Sequence, residues 1–287
     1  MAEQTLNDIE IIVIDDGSAD GSSSVCDSFA DDHRFSIFHK KNGGLSSARN
    51  VGMKIARADF IMFVDSDDWV EPEFCEVPYK LAMEYNADII FFQYRGCRKD
   101  SSLFYYNFKE TPGILSKERA MSFIDNGGSV VVWNKLFRRD IVKDMSFLEG
   151  HLYEDNLFTP EAIHRSEVIV YTEKILYNHI VRNDSIMTIR DKQADDDFFR
   201  IHTLASVRMT EWGYSESAGK YIIKLYWKYR KMFGRNSLHI NECTKYLKDH
   251  NKELDFLSFK GKLMYMIMNI SPWLFDTICL LKVRNRN

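Results

Sequence analysis

The apolar run Phe60-Ile61-Met62-Phe63-Val64 stops abruptly at Asp65-Ser66-Asp67-Asp68. A short, uninterrupted apolar run bounded by turn residues reads as a strand buried on both faces, and such strands belong in sheets covered by helices. Carboxylates at its end lie at the carboxyl edge of the sheet, where open α/β sheets take their ligands. Paired hard oxygen donors suit Mg²⁺ or Mn²⁺ bridging to a diphosphate. Taken alone, the tetrapeptide reads equally as a solvated acidic turn.

The pattern occurs twice. Ile9-Glu10-Ile11-Ile12-Val13-Ile14 is a β-branched run that stops at Asp15-Asp16-Gly17-Ser18. Gly17 suits a tight turn, and Ser18 or Asp20 is placed to cap a helix through Val25 and Phe29. A carboxylate here either accepts hydrogen bonds from a ribose hydroxyl or a base N–H, or caps that helix. Alternation continues to about Arg98. Strands are expected at Phe35–Phe38 and Ala87–Tyr94, and helices at Ser22–Ala30, Ser46–Ala56 and Pro72–Tyr85. This pattern implies a mainly parallel sheet covered on both faces. Further on, Ser116 is expected to cap a short helix to Phe123, and Glu154-Asp155 opens another through Ile163. Val168–Tyr171 and Ile175–His179 read as two returning strands.

The 287 residues, 45% hydrophobic and 28% charged, are enough for one large domain, or a domain with an appendage. A net charge of −4 carries no nucleic-acid signature. The five cysteines are scattered and odd in number, with no Cys-x-x-Cys. That argues against a disulfide framework or structural zinc and fits a reducing cytoplasm.

Four segments in fixed order resemble family 2 glycosyltransferases of the GT-A fold. They are Asp15-Asp16-Gly17-Ser18, Asn42-Gly43-Gly44-Leu45-Ser46-Ser47-Ala48-Arg49-Asn50, Asp65-Ser66-Asp67 continuing to Asp68-Trp69-Val70-Glu71-Pro72, and Glu154-Asp155. The resemblance runs from about Gln4 to about Thr188. It implies an α/β, Rossmann-like GT-A domain over 1–190, with a nucleotide-sugar half (1–100) and an acceptor half (101–190); beyond it the sequence changes character, and 191–287 reads as a helical C-terminal region rich in aromatics. The resemblance also implies an inverting, metal-dependent glycosyltransferase. The donor would be a nucleotide sugar of the UDP type, and the acceptor a hydroxyl of a glycan or lipid-linked glycan in surface polysaccharide synthesis. Asp155, helped by Glu154, would be the general base. Asp65, Asp67 and His179 would hold Mn²⁺ or Mg²⁺. Asp15, Asp16, Ser18, Asn42, Gly43, Gly44, Arg49, Asp65, Arg182 and Ser185 would face the nucleotide sugar. Trp133, Asn134 and Lys135 would lie on the acceptor side. For Arg49 two roles stay open: reaching a phosphate, or pairing with a strand-end Asp. Read without the resemblance, Glu154-Asp155 is ordinary charge at a helix start, and His179 is a lone structural histidine.

The chain departs from the family at its start. Members normally begin with an apolar strand and a Pro-x-Tyr-Asn turn, whereas Met1–Leu6 reads as the end of the helix that follows them. Two explanations are expected: a start placed too late, or a catalytically inactive remnant that binds a nucleotide sugar or a partner. A nucleotidyltransferase is a third reading of a similar sheet. Between Gly219 and Leu238, Lys220, Lys224, Lys228, Arg230, Lys231 and Arg235 are interleaved with aromatics. Such a helix suits an anionic membrane surface, or packs its apolar face on the catalytic domain. Leu263–Leu281 is apolar but interrupted by Asn269, Ser271, Pro272 and Asp276, which favours an interfacial helix over a spanning one. The expected location is the cytoplasm, at the inner face of the membrane.

Overall fold

A computed structural model of the chain describes residues 1–98, 102–105, 110–125, 130–182 and 191–219, with single positions 221, 239, 242 and 245. Strands and helices alternate as their apolar runs require. The strands are β1 (Ile11–Asp15), β2 (Phe35–His39), β3 (Phe60–Met62), β4 (Trp69–Val70), β5 (Ile89–Cys97), β6 (Leu103–Tyr105), β7 (Gly113–Leu115), β8 (Lys135–Arg138) and β9 (Ile169–Ile180). The helices are α1 (Ser22–Asp27), α2 (Leu45–Ile55), α3 (Glu76–Tyr85), α4 (Lys117–Asp125), α5 (Arg139–Val142), α6 (Asp155–Arg165) and α7 (Lys192–Glu211). Residues 1–205 form one compact unit and 206–287 a second. In the second, the chain leaves α7 at Gly213 (φ 89°), and the Tyr214 N–H closes on the Met209 carbonyl at 2.8 Å. A left-handed glycine after the last turn is the common way to satisfy orphan helix carbonyls. Ser185, the basic stretch from Lys220 to Arg235 and the apolar stretch from Leu263 to Leu281 lie outside the described residues. No helix among the described residues is long and apolar enough to cross a membrane.

The α/β class is as expected, but the larger sheet is mixed rather than mainly parallel. Its order is β3-β8-β5-β9-β4, with β6 added to β5 and β7 to β9. Only β5–β9 is parallel; every other pair in it is antiparallel. The reason is in the connections. Parallel neighbours need a crossover, whereas a short return makes an antiparallel pair. The chain leaving β5 turns straight back as β6, pairing Gly96 with Phe104. The two strands expected within 168–179 are one long strand, β9, whose register against β5 shifts between Phe91 and Tyr94. An irregularity of this kind bends a strand without ending it.

The core lies where α3 covers the sheet: Ala82, Ala87, Ile90, Leu136 and Val170 are all buried. Beneath the site, Phe63 packs edge-on against Phe137, Phe147 and Phe158. This aromatic floor holds the end of β3 in place.

β1 and β2 form a separate parallel pair. Among the described residues β1 has no neighbour but β2, and β3 none but β8. Ile12 and Ile14 from one edge and Phe60 and Met62 from the other line a single cavity of about 1690 Å³. Residues 1–8 are not the helix end expected from their sequence. The segment docks instead on the turn before α3. The Thr5 N–H bonds the Pro72 carbonyl at 2.9 Å, and the Gln4 amide accepts from the Cys75 N–H and donates to the Glu71 carbonyl, each at 2.9 Å.

Candidate active site

The turn after β1 and the loop before α2 are built as one piece. The Asp15 carboxylate accepts from the Ser18 N–H (3.0 Å), the Ser23 hydroxyl (2.6 Å) and His39 Nδ1 (2.7 Å). The Ser18 and Ser23 bonds, then His39, hold its pKa well below the usual carboxylate range. Asp16 faces the other way. It accepts from the Gly43 N–H (2.9 Å) and Gly44 N–H (2.7 Å) and pairs with the Lys40 ammonium. Burial opposes its ionisation, but those bonds win and its pKa is lowered. Of the two acids expected to face a nucleotide, Asp16 thus shapes the Asn42-Gly43-Gly44 loop, whereas Asp15 is spent within its own turn and on His39.

Gly17 makes that fit possible. Its φ is +76°, and a Cβ there would stand 2.8 Å from the Asn42 backbone nitrogen. Gly21 has φ +92°, but a Cβ there meets nothing within 4 Å. Gly21→Ala is therefore expected to cost only the left-handed backbone penalty, about 1–2 kcal/mol. Gly17→Ala is expected to cost more, because it pushes the Asn42-Gly43-Gly44 loop away. Thermal unfolding of the two variants checks this; equal losses would show that the close approach is unimportant.

Arg49, buried on α2, is the centre of the site. Its Nη1 donates to Glu154 at 2.7 Å and to Asp155 at 2.9 Å, and its Nη2 donates to Asp65 at 2.9 Å. Of the two roles open from sequence, the one seen is pairing with a strand-end acid, and it extends to the Glu154–Asp155 pair 105 and 106 residues away. The guanidinium stacks over Phe147 at 5.3 Å. The neighbouring Asn50 locks that phenylalanine by exchanging bonds with its backbone: Phe147 N–H to Asn50 Oδ1 at 2.7 Å, and Asn50 Nδ2 to the Phe147 carbonyl at 2.9 Å.

Three carboxylates share this one cation in a buried setting. Burial raises the pKa of Asp65, with Arg49 acting against it. Burial, then Asp155, pushes Glu154 up to about 7. Asp155 is raised too, by burial and then by Asp65, with Arg49 and Lys135 opposing. Both acids of the pair stand at the start of α6, where the helix dipole favours the anion; burial outweighs it. Burial also works against the Arg49 charge, but Asp155, Asp65 and Glu154 hold it protonated more firmly than usual.

A second cluster follows. Asp68 accepts from the Tyr177 hydroxyl (2.8 Å), His179 Nδ1 (3.3 Å) and the Ile180 N–H (2.7 Å), tying the strand-end turn to β9. The Asp68 bond raises the His179 pKa. Asp67 is half exposed, with Arg182 3.4 Å away. Trp133 stacks on Tyr177 (centroids 4.4 Å) and on His179 (5.6 Å). Asn134 is buried and donates to the Phe92 carbonyl at 3.1 Å. Lys135 is fully buried, bonded to Asn134 Oδ1 at 2.6 Å and to the Val131 carbonyl, with its pKa driven far down by burial. Gly43, Gly44, Arg49, Asp67, Glu154 and His179 all line the cavity described above. Sequence reasoning did not find Tyr177, whose signal is only its place two residues before His179. Asn50 was within a recognised motif but without a role.

Acids follow β1 of the parallel pair and β3 of the mixed sheet, and Arg49 joins Asp65 at the second of these to the Glu-Asp start of α6, on an α/β fold of the GT-A type. The crystal structure of S. aureus TarS 1–349 in complex with UDP-GlcNAc superposes with a TM-score of 0.71 at 21% identity, over 88% of this chain and 75% of that one. The family model described as glycosyl transferase family 2 matches residues 1–146, just over half of the chain, and the chain belongs to that family. Glycosyltransferase GlyA of Streptococcus pneumoniae serotype 4 is 31% identical over 196 residues, covering 65% of this chain and 28% of GlyA. The putative glycosyltransferase EpsH of Bacillus subtilis is 31% identical over 205 residues, covering 65% of this chain and 56% of EpsH. The chain therefore spans well under two thirds of the length of these two relatives.

Proposed function

We propose that this chain transfers a sugar from a nucleotide-sugar donor of the UDP type to an acceptor hydroxyl, with inversion at the anomeric carbon. The observation that carries the reading is Arg49, which draws Asp65 and the Glu154–Asp155 pair to one point at the cavity wall. The acceptor oxygen attacks the anomeric carbon as the bond to the diphosphate breaks, and its proton passes to Asp155. A single displacement inverts the centre. Glu154 and Arg49 hold Asp155 in place, and Asp16 shapes the loop that receives the nucleotide. Arg182, 3.4 Å from Asp67, would meet phosphate charge.

A divalent cation, Mn²⁺ or Mg²⁺, fits the donor set. Among the described residues no group of three or more His, Cys, Asp or Glu is arranged as a cation cage. Mg²⁺ does not need one, since one or two carboxylates with substrate phosphates and water complete its shell. Asp67 would hold the cation, with His179, whose ring is oriented by Asp68 as metal-ligating histidines are. Asp65 would contact the ribose or the cation. When bound, the cation neutralises charge on the diphosphate leaving group. UDP affinity measured by calorimetry is expected to fall at least about tenfold in chelator, and Asp67→Ala to remove most of the dependence. Equal affinity with and without metal would sink the proposed site.

The acceptor we assign is a glycan carried on lipid, used at the cytoplasmic face of the membrane in surface polysaccharide synthesis. Its support is the basic, aromatic composition from Lys220 to Arg235. Release of UDP from UDP-sugars with glycan acceptors tests the whole reading. A second reading, nucleotide-sugar or partner binding without turnover, is favoured by the edges of β1 and β3 that no strand among the described residues covers. Metal-dependent UDP binding with no transfer to any acceptor would select it.

A further inference from the structure

Glu154 and Asp155 are aimed by the four residues before them, and those residues make an unusual turn. Gly150 has φ 76° and Tyr153 φ 65°. A left-handed tyrosine is rare and persists only where its surroundings hold it. The first turns of α7 do so. Gln193 Nε2 donates to the Gly150 carbonyl at 3.1 Å. Asp197, only 3% exposed, takes the next two residues: one oxygen meets His151 Nδ1 at 2.6 Å, and the other accepts from the Leu152 N–H at 2.9 Å. The Phe198 ring then packs edge-on against Tyr153 at 5.0 Å. The helix carrying these groups is itself started by Asp191, whose side chain accepts from the Ala194 N–H at 2.8 Å. Three residues from the first two turns of one helix, Gln193, Asp197 and Phe198, therefore hold the four consecutive residues of the turn that leads into the Glu-Asp pair.

We propose that Asp197 is a positioning residue for Glu154 and Asp155, so that the start of α7 is part of the catalytic machinery. The inference rests on the transferase reading above. A buried carboxylate spent on a backbone N–H and a histidine holds the strained turn, and through it sets where Asp155 meets the acceptor. It touches no substrate itself.

The test uses the full chain with Asp197→Ala and Asp197→Asn. The asparagine keeps an oxygen that can accept from the Leu152 N–H; the alanine keeps nothing. In Asp197→Ala, amide hydrogen exchange over residues 150–155 is expected to quicken while α2 and β5 stay protected. Its kcat is expected to fall about 10–100-fold, the scale on which small misplacements of catalytic groups act. UDP affinity is expected to stay near that of the unaltered protein, and Asp197→Asn to recover much of the lost kcat. Three results would overturn the proposal: unchanged exchange over 150–155, faster exchange with unchanged kcat, or a joint fall of kcat, UDP affinity and melting temperature. If the unaltered chain turns over no donor, the transferase reading fails and the positioning role with it. The exchange pattern would then still report whether Asp197 holds the turn.

Discussion

Asp155→Asn is expected to lower kcat by about 10²–10⁴, the usual contribution of a positioned general base. The amide keeps the shape of the carboxylate but accepts no proton. UDP binding should hardly change, because Asp155 faces Arg49 and not the Asn42–Gly44 loop. The melting temperature should not fall, since the variant removes one of three buried carboxylates that share one guanidinium. The same crowding sets the pH profile. Glu154 is pushed up to about 7 and Asp155 is raised beside it, so kcat is expected to climb with pH through neutrality as the pair ionises. Glu154→Gln removes the negative neighbour and leaves Arg49 to Asp155, so the acid limb should move to lower pH. Retention of turnover by Asp155→Asn to within a few-fold places the base elsewhere. A rate that is flat from pH 5 to 8 breaks the link between the pair's ionisation and the chemistry.

Arg49→Met is expected to be the most damaging substitution for the fold. Taking one partner from a buried ion pair costs about 3–5 kcal/mol, because the remaining charge is left uncompensated. Here Asp65, Glu154 and Asp155 all lose their common partner. Their folded-state pKa values, already raised by burial, rise further above those of the unfolded chain. A group raised in this way gives its full stability below the unfolded pKa and loses it as pH increases through the folded one. The variant should therefore be least stable at and above neutral pH and recover toward pH 5. Turnover should be lost throughout, since no cation orders the pair. Urea unfolding at both pH values is the measurement. A stability loss that does not depend on pH would mean that packing on Phe147, and not charge, is what Arg49 supplies. Arg49→Lys is not expected to rescue, because one ammonium cannot reach three carboxylates in the planar geometry of the guanidinium.

Much of the first hundred residues was legible in the sequence itself. β1, β2 and β3 and helix α2 are local objects: apolar runs with a period, bounded by Asp, Gly and Ser, whose propensities need no distant partner. The order of the four motifs was also visible, and so was the α/β class. Strand direction was not. Alternation of strands and helices suggests crossovers, whereas β5 and β6 pair antiparallel. The bulge that keeps β9 continuous depends on its pairing with β5, which no local pattern encodes.

For the site, the sequence determined which groups are available: two acidic strand ends, a glycine loop, an arginine and a Glu-Asp pair. What each group does was decided by tertiary contacts. Asp15, Asp16, Asp67 and Asp68 look alike in the sequence, yet Asp15 is spent on Ser18, Ser23 and His39, Asp16 on Lys40 and the Gly43 and Gly44 N–H groups, and Asp68 on β9, while Asp67 stays half exposed. Arg49 could be assigned a partner only once α2, β3 and α6 were brought together. Asp197 gave no signal at all, being one acid in Asp195-Asp196-Asp197, and reading the chain from 191 onward as a separate helical region hid its reach to Leu152. The physical reason is one of range. Propensity and periodicity act over a few residues, whereas the desolvation and ion pairing that set a carboxylate's role depend on neighbours a hundred residues away, which only the folded chain supplies.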